Sequence, residues 1–254
     1  AASAVICSSG GNPIFGLLLA FVVGCCAGAV TALLNTKLKI QPLLAGILVM
    51  LGLYSINLRI MGKRPNLPLM KSDTIYKWAE EILPENASAL ILGGVILTIA
   101  IMVLYFFLKT RVGFALRATG DNEDMVRAAG INSNSMKLIG LSLSNGLVGL
   151  SGGMLAQYQS FADVTMGTGM VVIGLASVIL GEAIFGTRSL SRRLIAVSLG
   201  AILYRLAIAQ ALQLGMPASD LKLVSAVIVT VALALGLLGE SFSVKSLFGR
   251  KERS

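Results

Sequence analysis

Few residues in this chain could do chemistry, and most of them sit in apolar surroundings. There is no His, and the three Cys are Cys7, Cys25 and Cys26, so neither a zinc cluster nor a Cys-x-x-Cys redox pair can be assembled. Cys25 and Cys26 lie between Gly24 and Gly28 and read as small packing residues. No phosphate-cradling Gly-rich loop with its Lys occurs, and no nucleophile–base pair or acidic dyad emerges. Catalytic residues, metal and cofactor are therefore expected to be none. Two ionisable side chains fall inside apolar runs, Glu182 and Arg205. A charge at membrane depth costs roughly 3 kcal/mol, so each needs a partner, water or a protein interior. By the spans given below, Arg205 lies roughly 16 Å deep and Glu182 roughly 6 Å, a gap that strains a direct bond between them. With Asn145 and Tyr204 they make up the candidate solute pathway. Gln157, Tyr158, Gln210 and Gln213 fall at similar levels, and each of these polar groups has helix packing as its alternative reading.

A second group of polar residues lies outside the apolar runs. Residues 110–131, TRVGFALRATGDNEDMVRAAGI, are the longest polar stretch between them. Asp121 or Asn122 can cap a short helix, and Glu123 and Asp124 suit the positive end of its dipole. Gly130 falls where a left-handed residue would stop that helix about two turns later. Arg117 and Arg127 flank the element, Met125 and Val126 give it apolar surface, and Ala118, Ala128 and Ala129 allow close approach. Two turns are too short to be stable alone, so a partner surface or a solvated connector are the two readings.

The elements that must position these groups are apolar helices. Of 254 residues, 56% are hydrophobic and 13% charged, and the mean hydropathy is +0.84, too apolar for a soluble globule of this size. Main spans are predicted at about 13–35, 38–58, 87–109, 136–157, 168–186, 194–213 and 220–238, after an apolar remnant of a helix at the start. Gly146, Gly149, Gly152 and Gly153, and then Gly167, Gly169, Gly174 and Gly181, form smooth strips suited to helix contact. Gly interruption also makes 136–157 and 168–186 candidates for incomplete crossing. Lys37 and Lys39, then Lys109, Arg111, Arg117, Arg127 and Lys137, then Arg188, Arg192 and Arg193, then Lys245, Arg250, Lys251 and Arg253 all fall on one side if the spans alternate. That side is the cytoplasm by the positive-inside rule. The net charge of +9 thus reflects loops rather than a nucleic-acid surface. The opposite side carries residues 61–86, where Ser72 or Asp73 can cap a short helix bearing Ile75, Trp78 and Ile82 on one face. It reads either as a surface helix or as a contact for an external protein.

The run Gly113-Phe-Ala-Leu-Arg117-Ala-Thr-Gly120, then Asp121-Asn122, then Arg127-Ala-Ala-Gly130-Ile131, is followed by the small-residue helix Ser144-Asn-Gly-Leu-Val-Gly-Leu-Ser-Gly-Gly153. This resembles the cytoplasmic coupling loop of bacterial ABC importer permeases of the branched-chain amino acid and ribose-type family, over about residues 38–238. Gln41-Pro-Leu-Leu-Ala-Gly-Ile47, Tyr54-Ser-Ile-Asn57 and Asp220-Leu-Lys222 resemble the branch paired with tryptophan- or tyrosine-type binding lipoproteins. The resemblance implies an all-α, polytopic transmembrane helical bundle of about seven main spans plus the N-terminal remnant, with a cytoplasmic coupling helix. It implies one permease domain over 1–240 that lacks its N-terminus, a coupling loop at 110–135 and a basic cytoplasmic tail at 241–254. The expected coupling residues are Gly113, Arg117, Asn122, Glu123, Met125, Val126, Ala128, Ala129 and Gly130. Expected partners are cytoplasmic ABC ATPase subunits, an extracellular solute-binding protein, a second permease copy as a homodimer and the lipid bilayer of a bacterial cell membrane. No nucleic acid is expected. The cargo would be a small organic solute, first an amino acid, moved inward by alternating access with ATP hydrolysed by the partner. The alternative is a secondary transporter or channel without an ATPase, for which Glu182 is the one good ion-coupling carboxylate.

Overall fold

A computed structural model describes residues 1–213 except Lys71, Leu83, Glu85, Asn86, Gly169, Thr187 and Arg188, together with Val227 and Thr230. The predicted span at 220–238, the tail at 241–254 and the Arg188 part of the charge pattern lie outside the described residues. Contacts divide the chain into two compact units, Ala1–Gly167 and a second beginning at Thr168.

The first unit opens with α1 (Ala2–Ser8). After two glycines, Asn12 caps α2 (Pro13–Lys37) by accepting the Ile14 N–H, and Pro13 fits the first helical position because its missing donor is not needed there. The turn to α3 (Pro42–Ile60) is closed by Asn35 Nδ2, which donates to Ile40 O at 2.8 Å, with Lys39 left-handed at φ 54°. Strand β1 (Asn66–Pro68), the eight-residue α4 (Ile75–Ile82) and α5 (Ser88–Lys109) follow. Next come α6 (Arg111–Asp121), α7 (Glu123–Ala128) and the long α8 (Ser133–Gln159). Ser160, left-handed at φ 57°, turns the chain into β2 (Phe161–Asp163). This strand pairs antiparallel with β1, Leu67 opposite Ala162. The ribbon adds a strand pair to an otherwise helical body. It closes a small core of Ala4, Cys7, Met61, Leu69, Ala156 and Ala162, so α1 is packed into this end of the unit.

The centre of the first unit is the crossing of α2 and α8. A Cβ placed on Gly24 would collide with Asn145 O, one on Gly28 with Leu141 O and one on Gly149 with Ala20 O. The two backbones therefore touch, with Cys25 Sγ filling the space over Gly146. By contrast α3 buries only Ala45, and none of the most apolar stretch of α5 is buried.

The second unit contains α9 (Met170–Phe185) and α10 (Leu190–Gln213), the latter begun by Ser189, whose hydroxyl accepts the Arg192 N–H. The same device joins them: a Cβ on Gly181 would strike Ala196 O, and one on Gly200 would strike Ser177 O.

Among the described residues, five helices are long and apolar enough to cross a membrane: α2, α3, α5, α8 and α10. Two expectations about incomplete crossing separate here. Helix α8 is unbroken over 27 residues, roughly 40 Å, with Gly146, Gly149 and Gly153 set against α2 and Gly140 against Leu116. Helix α9 has 16 residues, roughly 24 Å, short of a full hydrocarbon thickness.

Candidate functional site

The polar stretch between α5 and α8 folds into two helices. At the end of α5, Thr110 Oγ1 accepts the Gly113 N–H and caps α6. Gly113 is buried in that corner, where a Cβ would meet Phe107 O and the Leu108 backbone. It is thus a steric requirement of the bend rather than a presented surface. Helix α6 leaves Phe114 65% exposed, with the Arg117 guanidinium 5.8 Å from its ring centroid. Asn122 is the cap of α7, accepting the Met125 N–H at 3.0 Å, and Glu123 and Asp124 occupy the first turn. Gly130 takes φ 79° and ends the element.

Glu123 anchors α7 to the base of α8. Its Oε1 meets Arg127 Nη2 at 2.6 Å and its Oε2 meets Lys137 Nζ at 2.7 Å. Arg127 Nε donates to the buried Ser133 Oγ at 2.8 Å. These are the two ion pairs found among the described residues, and both are on Glu123. Hydrogen bonds from Lys137, then Ser133, with the charges of Lys137 and Arg127, hold the Glu123 carboxyl below its ordinary range. Met125 is 61% exposed, and Arg117, Ala128 and Ala129 are exposed as well. Val126 is 2% exposed, which corrects its reading as offered apolar surface. A six-residue helix must bury one side against its support, and Val126 is that side. Phe114 was not anticipated, although an aromatic in a polar stretch is a visible signal.

The far end of α8 carries a different tie. Gln157 is 1% exposed and bonds the start of α4, Ser3 and Pro13. It is therefore not a pathway group. The cap of α4 is Thr74, whose Oγ1 accepts the Lys77 N–H, rather than Ser72 or Asp73. Tyr76 packs on the exposed Tyr158 with ring centroids 5.3 Å apart, and burial raises the Tyr76 phenol above its ordinary range. Since α7 contacts Ser133 and α4 contacts Gln157, the two loop elements lie at opposite ends of α8, roughly 36 Å apart.

The pathway candidates fall in both compact units, Asn145 in the first and Glu182, Tyr204 and Arg205 in the second. Asn145 is half-buried at the α2–α8 crossing and donates back to Leu141 O. In the second unit, Glu182 is half-buried on α9, Tyr204 is buried on α10 and Arg205 is exposed. Among the described residues Glu182 and Arg205 form no ion pair. Among the described residues no cluster of His, Cys, Asp and Glu could hold a metal.

Five spanning-length apolar helices among the described residues define a multi-pass membrane protein. Comparison with known proteins makes this more specific: residues 1–238 match the family described as branched-chain amino acid transport system, permease component, and the chain belongs to that family. The tyrosine transport system permease protein of Clostridioides difficile (strain R20291) is 42% identical over 234 residues, covering 92% of this chain and 77% of the relative. The ribose import permease protein RbsC of Escherichia coli (strain K12) is 28% identical over 172 residues, 67% of this chain and 53% of that protein. The autoinducer 2 import system permease protein LsrC of Photorhabdus luminescens is 28% identical over 183 residues, 68% and 51% of the two chains. No solved structure matches significantly.

Proposed function

We propose that the chain is the membrane-spanning permease subunit of a bacterial ATP-driven ABC importer for an amino acid, with an aromatic amino acid as the first candidate. Its own residues supply the pathway, and ATP is bound and hydrolysed by separate cytoplasmic subunits. The observation that carries this reading is α7: a short, capped helix outside the spanning helices, gripped from one side through Glu123 and Val126, with Met125, Ala128 and Ala129 left uncovered. An uncovered two-turn helix of this kind suits a groove on a partner, and Phe114 on α6 supplies a further apolar anchor. The 42% identity to a tyrosine transport system permease supports the cargo class. The remaining parts follow from the same reading: a second copy of the permease, an external solute-binding protein, alternating access in the plasma membrane, and about seven spans in one domain reaching residue 240. Residues 110–135 are placed in the cytoplasm with the basic tail, and residues 61–86 outside. Asn145, Glu182, Tyr204 and Arg205 are kept as pathway positions.

The test is uptake measured beside ATPase pull-down in reconstituted membranes. Ala129→Glu introduces a bulky charge into the groove contact, and Gly130→Val denies α7 its left-handed stop. Both variants are expected to enter the membrane normally and to lose ATPase association or solute-stimulated hydrolysis. Normal coupled transport in both would reduce the α6–α7 element to a connector, and a wild-type chain that neither binds the ATPase nor shows ATP-dependent uptake would overturn the importer reading.

A further inference from the structure

Gln157 sits in the last turn of α8 with its amide bonded on three sides. Nε2 donates to Ser3 Oγ at 3.1 Å and to Pro13 O at 3.1 Å, while Oε1 accepts the Ile75 N–H at 3.0 Å. The partners belong to α1, to the first residue of α2 and to the first residue of α4. A buried amide is destabilising unless its bonds are made, so a side chain of this kind is a poor choice where packing alone would serve. Packing alone does serve along the rest of the α2–α8 contact, where glycines let the backbones touch. The distinctive contribution of Gln157 is its hold on α4. That helix has eight residues, too few to stand alone. Ile75 N–H is one of the donors its first turn leaves open, and Gln157 satisfies it beside the Thr74 cap.

We infer that Gln157 is a positioning residue that locks loop helix α4 to one end of the same unbroken helix that α7 grips at the other. The consequence rests on the importer reading. A contact made on α4 by the external solute-binding protein is then passed along α8 to α7 without a flexible joint, and Gln157 is the connection that a single substitution opens.

The test uses the full chain in lipid discs with its ATPase, with two readouts: hydrogen exchange of the peptide spanning 74–82, and ATP hydrolysis with and without the external binding protein. Gln157→Met matches the side chain in length and removes all three bonds, while Gln157→Asn keeps a neutral amide drawn back by one methylene from its partners. In Gln157→Met, exchange in α4 is expected to rise about tenfold with α5 unchanged, and stimulation by the binding protein to be lost while basal hydrolysis persists. Gln157→Asn should fall between this variant and wild type on both measures. Wild-type exchange in α4, or full stimulation despite a loosened α4, overturns the proposal. Should Gln157→Met fail to assemble, Gln157→Asn decides alone: intermediate values in both readouts support the proposal and a wild-type value in either overturns it. A wild-type complex that shows no stimulation refutes the importer reading instead. The exchange readout then still decides whether Gln157 holds α4.

Discussion

The two ends of α8 are fastened by opposite chemistry. At Ser133, the tie to α7 is made of charges in contact with water: Glu123, Arg127 and Lys137. At Gln157, the tie to α4 is a neutral amide with almost no exposure. Exposed ion pairs are individually weak, screened by salt and easily rearranged, whereas a buried amide with every partner in place resists being pulled apart. The helix between them is continuous and joined to α2 by backbone contact. The molecule thus combines one adjustable fastening, one fixed fastening and a stiff connection between them.

The largest effect is expected from breaking what both ends share. Gly28→Leu places side-chain atoms where Leu141 O already lies, and neither backbone can yield without parting the α2–α8 crossing. Folded yield in detergent should collapse, as read by size exclusion, and a monodisperse wild-type-like peak would show that the crossing is looser than its contacts imply. Next comes the charged end. Glu123→Lys sets three cations against one another at the base of α8, so uptake should fall several-fold while membrane insertion stays normal. Glu123→Gln should fall less, because it adds no cation and keeps one oxygen that can accept from Arg127 or Lys137. Equal activity in both variants would mean that the charge of Glu123 does not matter.

A smaller change probes the neutral end without touching Gln157. Thr74→Ala removes the hydroxyl that caps α4 and should destabilise that helix locally by about 1 kcal/mol. Exchange in 74–82 would then rise about fivefold. No change would assign the hold on α4 to Gln157 alone. The smallest effect is that of pH and salt on the charged end. Because its partners lower the Glu123 pKa, the carboxylate stays ionised and the clamp stays intact above the ordinary carboxylate range. The clamp is lost only as pH falls through that depressed value. Between pH 6 and 8 uptake should therefore show no titration from Glu123, while added salt weakens coupling slightly. A titration in that window that disappears in Glu123→Gln would overturn the assignment.

Much of the charged end was legible in the sequence, because caps and glycine stops are local signals. Asn122, the acidic first turn and Gly130 all depend on neighbours within a few residues. The inner face of α7 was not legible. Met125 and Val126 are adjacent and both apolar, and only the packing of α7 on its neighbours decides which of them is covered. Lys137, fourteen residues from Glu123, follows no helical spacing that a single element would display. For Gln157 the sequence leaves helix packing and a place near the pathway both open, because its partners are 82 to 154 positions away. The β1–β2 ribbon was missed for the same reason: each strand has three residues, and neither carries an alternating pattern long enough to be seen.

The uncovered flank of α5 bears on how this sequence can drift. With none of its most apolar stretch buried, Leu, Ile, Val, Phe and Met there answer to a solvent that cannot tell one branched hydrocarbon from another. Exchange among them should be close to neutral, and only the arrival of charge should be purged. On α2, Gly24 and Gly28 face backbone and admit no such freedom. Two helices of similar hydropathy thus accept change on very different terms, one judged by its average and the other residue by residue.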